Sequence, residues 1–243
     1  TLSLHDALPI YSIAFMGAAN VADSLAALKH LVFETRAIDP SSLLSALRAD
    51  FRGYESLRNR LLHEAPKYGN DSEDVDQLAA RVAGDFISLM DTMHSPLNGR
   101  YFVHLFSWRL NVEYGKVVGA TPDGRLAGEP LAYSLSAQQG RDEHGVTAFL
   151  SSLSRLPHAR AGGASAAIVD LDPKLVEGNE GIGRLALLVT TAFRMGVGQL
   201  QWNVTTADRL LQAQKAPQRY GNIPVRVAGY SQMFRLIPRD IQD

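Results

Sequence analysis

Apolar residues recur at three- and four-residue intervals over long stretches of the chain, interrupted by short runs that are apolar throughout, a pattern of helices interleaved with strands. From Asn20 the helical spacing is carried by Val21, Leu25, Leu28, Leu31 and Val32, and Asn20 with Asp23 three residues on reads as an N-terminal capping arrangement. A second helix is predicted after Asp39-Pro40-Ser41, with proline at or near the first turn and Leu43, Leu44 and Leu47 facing inward. A third follows Gly53 through Leu57, Leu61 and Leu62. Pro66 and Gly69-Asn70 break the pattern. Asp71 or Ser72 then caps a long helix through Leu78, Val82, Phe86, Leu89 and Met93, with Glu73 and Asp74 in the first turn, where the helix dipole favours acids.

Beyond Arg100 the period shortens. Tyr101 to Tyr114 mixes aromatic and β-branched residues and predicts a strand or a pair of strands, with His104 as a core histidine. Gly119 to Ala132 is a loop by composition, turning at Pro122-Asp123-Gly124. A short helix from Gly145 to Leu156 and a buried strand from Ser165 to Leu171 follow. The helix from Ile182 to Met195 is apolar on almost every side, which predicts burial on more than one face. The next strand places Gln201 and Asn203 on one face; Thr205-Thr206 caps a helix through Ala213; and the apolar run from Ile223 to Ala228 ends at Gly229. Amphipathic helices between short apolar strands define an α/β chain.

Composition narrows the function. With 46% hydrophobic residues in 243, the chain has the makings of a packed core. A net charge of −1 gives no electrostatic reason to expect nucleic acid or an anionic membrane as partner, and no apolar run is long enough to span a bilayer, so a cytoplasmic location is expected. The absence of cysteine excludes disulfides, cysteine-ligated metal or iron–sulfur sites and a thiol nucleophile within this sequence. Two decoys are set aside. The acidic residues from Asp71 to Asp76 lack the regular ligand spacing and closing glutamate of a calcium loop, and Gly178, Gly181 and Gly183 run in the wrong order for a dinucleotide fingerprint. No metal site is expected.

A glycine that ends a strand usually marks a turn or a close backbone approach. Here it stands in Val225-Arg226-Val227-Ala228-Gly229-Tyr230-Ser231, which resembles the C-terminal signature of the glycyl radical enzymes, the family of pyruvate formate-lyase and of glycerol and diol dehydratases. Three further segments resemble that family in its own order: Gly17 to Lys29 (GAANVADSLAALK), Pro66 to Asp71 (PKYGND), and Ala120 to Ala132 (ATPDGRLAGEPLA). The resemblance implies part of a ten-stranded α/β barrel, with a barrel portion over residues 11–204 and a glycine radical domain over 205–243, truncated at its C-terminus. Residues 1–10 read like one frame of a short-read sequencing adapter and are set aside as an artefact, His5 and Asp6 with them.

The same resemblance implies the chemistry. Gly229 stores a radical on its α-carbon, installed by an activating enzyme that uses S-adenosylmethionine, and hands it to a cysteine outside this sequence; no bound cofactor is needed. A residue without Cβ suits this, because its α-carbon can flatten and share the unpaired electron with the flanking amides. Arg226, Tyr230, Gln201 and Asn203 are implied to support the glycine loop. Arg125 can hold a carboxylate bidentately, although in the family its segment serves the architecture. The loop wording favours a dehydratase or C–X lyase acting on a small polar substrate, with formate C-acetyltransferase as the alternative. A stand-alone radical-carrying repair subunit is the reading of another class. A homodimer is expected of the full-length protein, in anaerobic metabolism, and this portion alone is expected to be inactive.

Overall fold

The computed structural model describes residues 11–107, 109–227 and 230–242; residues 1–10, Trp108, Ala228, Gly229 and Asp243 lie outside them. Strand β1 (Tyr11–Ala14) leads into α1 (Ala18–Ala27), which widens into a π-helical stretch over Leu28–Glu34. Three helices follow: α2 (Pro40–Arg48), α3 (Glu55–His63) and α4 (Glu73–Asp91). This helical crossover returns the chain to β2 (Tyr101–Leu105), parallel to β1 in the register Tyr11 to Tyr101. Helices α1 and α4 pack on one another through small residues, with Ala22 and Ala26 of one and Ala79 and Ala83 of the other fully buried in a shared core, so the two backbones approach closely. A second core collects Leu31, Leu43, Phe51 and Leu61 beneath α2 and α3.

The start of α2 follows the sequence closely. Asp39 is the cap, its carboxylate accepting the Ser42 amide at 2.9 Å, with Pro40 in the first turn. The start of α1 does not. It begins at Ala18 behind Gly17, and neither Asn20 nor Asp23 caps it; both are buried in the interior, where they serve the network described below. Ser72 precedes α4 without a side-chain cap bond, and Asp71 instead accepts from Ser151 Oγ at 2.6 Å.

The stretch from Tyr101 to Tyr114 is strand only as far as Leu105. Beyond it Leu110 N donates to Ser107 O, and a short helix α5 (Leu110–Gly115) follows. Asn111 is buried in that helix, with its side chain donating to Leu131 O and its carbonyl accepting from Leu131 N, so the aromatic character of the segment serves a helix packed on a loop.

After α6 (Val146–Ser154) the predicted strand from Ser165 to Leu171 is split. Its first part, β3 (Ala164–Ser165), pairs parallel with β2; its second, β4 (Ala167–Leu171), belongs to another sheet. The loop before α6 causes the break. Leu135 N donates to Ala166 O, and the Ser136 hydroxyl both accepts from Ile168 N and donates to Ile168 O, at 3.0 Å each, taking the backbone groups a neighbouring strand would use.

Helix α7 (Gly178–Arg194) then leads to β5 (Leu200–Val204), parallel to β4 with Asp170 opposite Asn203. Burial of α7 on more than one face is not found. Ala192 is buried, but Ile182, Leu187 and Phe193 are at least half exposed. Helices α8 (Ala207–Lys215), capped by Thr206, and α9 (Pro217–Tyr220) close the path to an antiparallel hairpin of β6 (Pro224–Val227) and β7 (Tyr230–Met233), followed by α10 (Arg239–Gln242). Among the described residues no helix is long and apolar enough to cross a membrane.

Candidate functional site

The hairpin has its own small core. Val225, Ile223, Phe234 and Ile237 pack with Ala213 of α8, and the strands pair in the register Arg226 to Ser231 and Val227 to Tyr230. Ala228 and Gly229 are outside the described residues; Val227 and Tyr230 on either side are within them. Val225, Arg226, Phe234 and Ile237 form one wall of a cleft of about 1040 Å³. Ile168, Asp170 and Asn203, from the paired strands β4 and β5, form a second wall, and the loop carrying Ser136, Gln138, Arg141 and Asp142 a third.

The four residues implied to support the glycine loop fall into different environments. Asn203 reaches the hairpin directly, its Oδ1 accepting the backbone N–H of Arg226 at 2.8 Å. Arg226 spans the two strands, with Nη1 donating to Ser231 Oγ at 3.3 Å. Tyr230 opens β7 and is half exposed. Gln201 faces the same side of β5 as Asn203 but is buried, and neither of its side-chain polar atoms has a protein partner among the described residues.

Carboxylates edge this cleft. Burial pushes the Asp170 carboxyl up, against a smaller downward pull from Asn203, which stands opposite it on β5. Asp142 is pushed up as well, first by the same desolvation and then by the charge of Asp170. Both side chains still reach solvent.

A third wall feature was not foreseen from the sequence: three of the motif segments meet in one buried polar network. Asn20 Nδ2 donates to Asp123 Oδ2 at 2.9 Å and to Gln138 Oε1 at 2.8 Å, while its Oδ1 accepts the Ala132 amide at 2.7 Å. Asp23 Oδ1 accepts the Tyr68 amide at 2.7 Å. Arg141 closes the network from the cleft side, its Nη1 lying 3.1 Å from Asp123 Oδ2 and 3.9 Å from Asp23 Oδ2. Burial drives the Asp23 carboxyl up to about 7, against the pull of the Tyr68 amide and the Lys67 charge. Burial likewise lowers the Lys67 amine, which donates to Leu61 O at 2.6 Å and Ala65 O at 3.2 Å. The sequence signal was the family wording of these segments; what they do together spans separations of 45 and 103 residues and has no local trace.

Arg125 is not available to a ligand. It is fully buried, and its guanidinium donates to the carbonyls of Leu126, Glu129, Val118 and Gly119. It ties the loop from Val118 to Glu129 to itself. His104 lies half-buried on β2 against Gly163, where a Cβ would stand 2.4 Å from its ring. Asp71, Glu73, Asp74 and Asp76 do not gather around a common point, and no group of three or more potential metal ligands occurs among the described residues.

Two family models match the chain in order: one described as pyruvate formate lyase-like over residues 7–115, and one described as glycine radical over residues 131–235. Among curated proteins, the trans-4-hydroxy-L-proline dehydratase of Clostridioides difficile is 34% identical over 228 residues, covering 94% of this chain and 29% of its own length. The isethionate sulfite-lyase of Bilophila wadsworthia is 40% identical over 234 residues, covering 94% of this chain and 28% of its own length. Among solved structures, the glycerol-bound B12-independent glycerol dehydratase from Clostridium butyricum superposes with a TM-score of 0.91 at 36% identity, over 97% of this chain and 30% of that one. The chain thus spans less than a third of the length of these relatives. Two matched domains in succession and a shared α/β barrel architecture together establish that this chain belongs to the glycyl radical enzyme family.

Proposed function

We propose that this chain supplies the radical-carrying part of a glycyl radical dehydratase or C–X lyase acting on a small polar substrate, with Gly229 storing the radical. One observation carries the reading: the strands that flank Gly229 form a wall of the large cleft, within a region matched by the glycine radical model. The named relatives are dehydratases and a sulfite-lyase, which supports elimination chemistry for the complete protein. In this reading residues 205–243 carry the radical and residues 11–204 belong to the barrel around it.

The α-carbon radical of Gly229 takes a hydrogen atom from a cysteine thiol, forming the glycine C–H bond and breaking S–H, so the unpaired electron passes to sulfur. This sequence has no cysteine, so the thiol is supplied from outside it. The thiyl radical takes a hydrogen atom from a substrate C–H bond and becomes a thiol again; the substrate radical loses its leaving group, and the product radical takes a hydrogen atom back from that thiol, regenerating the thiyl radical. Enclosure protects the glycine radical from water and oxygen, which fits anaerobic metabolism. An S-adenosylmethionine-dependent activating enzyme installs the radical, and the complete protein is a homodimer.

Electron paramagnetic resonance tests this. Anaerobic incubation of the chain with such an activating enzyme is expected to give the doublet of an α-carbon radical, and the doublet collapses when glycine is labelled with deuterium at Cα. Gly229→Ala is expected to abolish the signal. A doublet that persists in that variant overturns the assignment.

A further inference from the structure

Helix α4 carries two apolar stripes and buries only one. Val75, Ala79, Ala83, Ile87 and Met90 are buried, the alanines among them against α1. The stripe that the sequence marks as apolar, Leu78, Val82, Phe86, Leu89 and Met93, is rotated from the first by about 80° around the helix axis. Its first three residues are half-buried. Leu89 is 56% exposed, and Met93, two residues past the end of the helix, is 46% exposed. Arg81, Asp85 and Ser88, all exposed, border the stripe on its outer side, so a polar rim encloses an uncovered apolar strip.

The stripe meets the sheet at an open edge. Phe86 stacks on Phe15 with ring centroids 4.9 Å apart, and Phe15 prolongs β1 by donating its N–H to His104 O at 2.8 Å. In the order β1-β2-β3 the strand β1 is outermost, and among the described residues it pairs with β2 alone. Its other edge presents backbone groups that a further strand would satisfy. Parallel strands are joined by right-handed crossovers, usually helical. The crossover from β1 to β2 puts α4 on the face of the sheet where Val103 and Leu105 are buried. A parallel strand on the far side of β1, running into it with the same hand, brings its crossover helix down on that same face, beside the uncovered stripe.

The relatives show how much polypeptide is available for this, since the chain covers only 28 to 30% of their length. We infer that the stripe from Leu78 to Met93 is the seat of an amphipathic helix belonging to the part of the complete polypeptide that precedes β1, and that this helix is the crossover leading into Tyr11. One connected strand and helix accounts for both the open edge and the uncovered stripe. A second copy seated on the stripe would leave the edge of β1 unpaired. The inference takes from the reading above only that this chain is part of a longer glycyl radical enzyme; it needs no radical at Gly229.

Photocrosslinking of the complete protein, expressed from the intact gene, tests this. With p-benzoylphenylalanine in place of Leu89, irradiation is expected to link position 89 to a peptide upstream of Tyr11 in the same polypeptide. Mass spectrometry on mixed isotopically labelled and unlabelled protein separates links within one chain from links between two. A link between two copies overturns the inference, and so does the absence of any upstream link. Because a bulky probe can disturb a packed site, peroxide oxidation of methionine is also followed in the unsubstituted complete protein. Met90 is 7% exposed in this chain and serves as the buried reference. Met93 is expected to oxidise within about threefold of the Met90 rate once the helix covers it, and a larger ratio overturns the inference. Upstream links without the radical doublet refute the role of Gly229 and leave the docking intact, whereas a doublet without upstream links does the reverse.

Discussion

Asp23 offers the most direct test of how the buried network acts. Its carboxyl has no exposed surface, one oxygen is held by the Tyr68 amide, and the other has no hydrogen-bond partner among the described residues. Burial raises its pKa from 3.8 to about 7. The unfolded chain releases this proton near pH 4 while the folded chain keeps it until near pH 7, so unfolding between those limits releases a proton. The stabilisation is therefore complete below the unfolded value and is lost as pH rises through the folded one. At about 1.4 kcal/mol per pH unit, a window of about three units makes the contribution on the order of 4 kcal/mol. Asp76, raised to about 6 by its own burial, acts in the same direction, while His158, lowered by burial, opposes both below its unfolded value.

Asp23→Asn separates these contributions. The amide keeps the acceptor for Tyr68 and cannot ionise, so its stability profile should lack the Asp23 component. Urea unfolding followed by circular dichroism from pH 4.5 to 8 is expected to show a difference between variant and parent that grows in favour of the variant by about 1 kcal/mol per unit up to pH 7 and then levels. Parallel profiles across that range refute a neutral buried carboxyl at position 23. A difference that grows toward acid refutes the sign.

Two further substitutions probe the scaffold. Arg125→Lys replaces a planar fork serving four backbone carbonyls with one ammonium, and urea unfolding is expected to show a loss of about 3 kcal/mol; a loss below about 0.5 kcal/mol would show that the loop from Val118 to Glu129 holds itself. Gly163→Ala puts a methyl 2.4 Å from the His104 Cδ2, so the ring or the backbone must move. The expected cost is roughly 1 to 3 kcal/mol, with a displaced His104 ring resonance in NMR spectra, and an unshifted resonance contradicts the close approach.

Local chemistry alone determined several elements of this protein. Asp39 and Pro40 open α2 because a cap and a fixed φ act within one turn, and Thr206 opens α8 for the same reason. The residue types around Gly229 and the order of the motif segments sufficed to identify the family and its barrel, since both are written in consecutive residues. Tertiary structure decided what those segments do. Asn20 and Asp23 have the residue types and spacing of a cap, yet the helix starts two residues before Asn20, and partners far along the chain claim both side chains. The strand from Ser165 divides because Ser136, about thirty residues earlier, occupies the backbone groups of Ile168. The aromatic run after Leu105 becomes a helix because Asn111 and Leu131 bond each other across a loop. Propensity and capping are settled among near neighbours in sequence, whereas burial and the satisfaction of buried polar groups are settled by whichever residues the fold brings alongside. That physical difference is why Gly229 stood out in the sequence and the network of Asn20, Asp23, Asp123 and Arg141 did not.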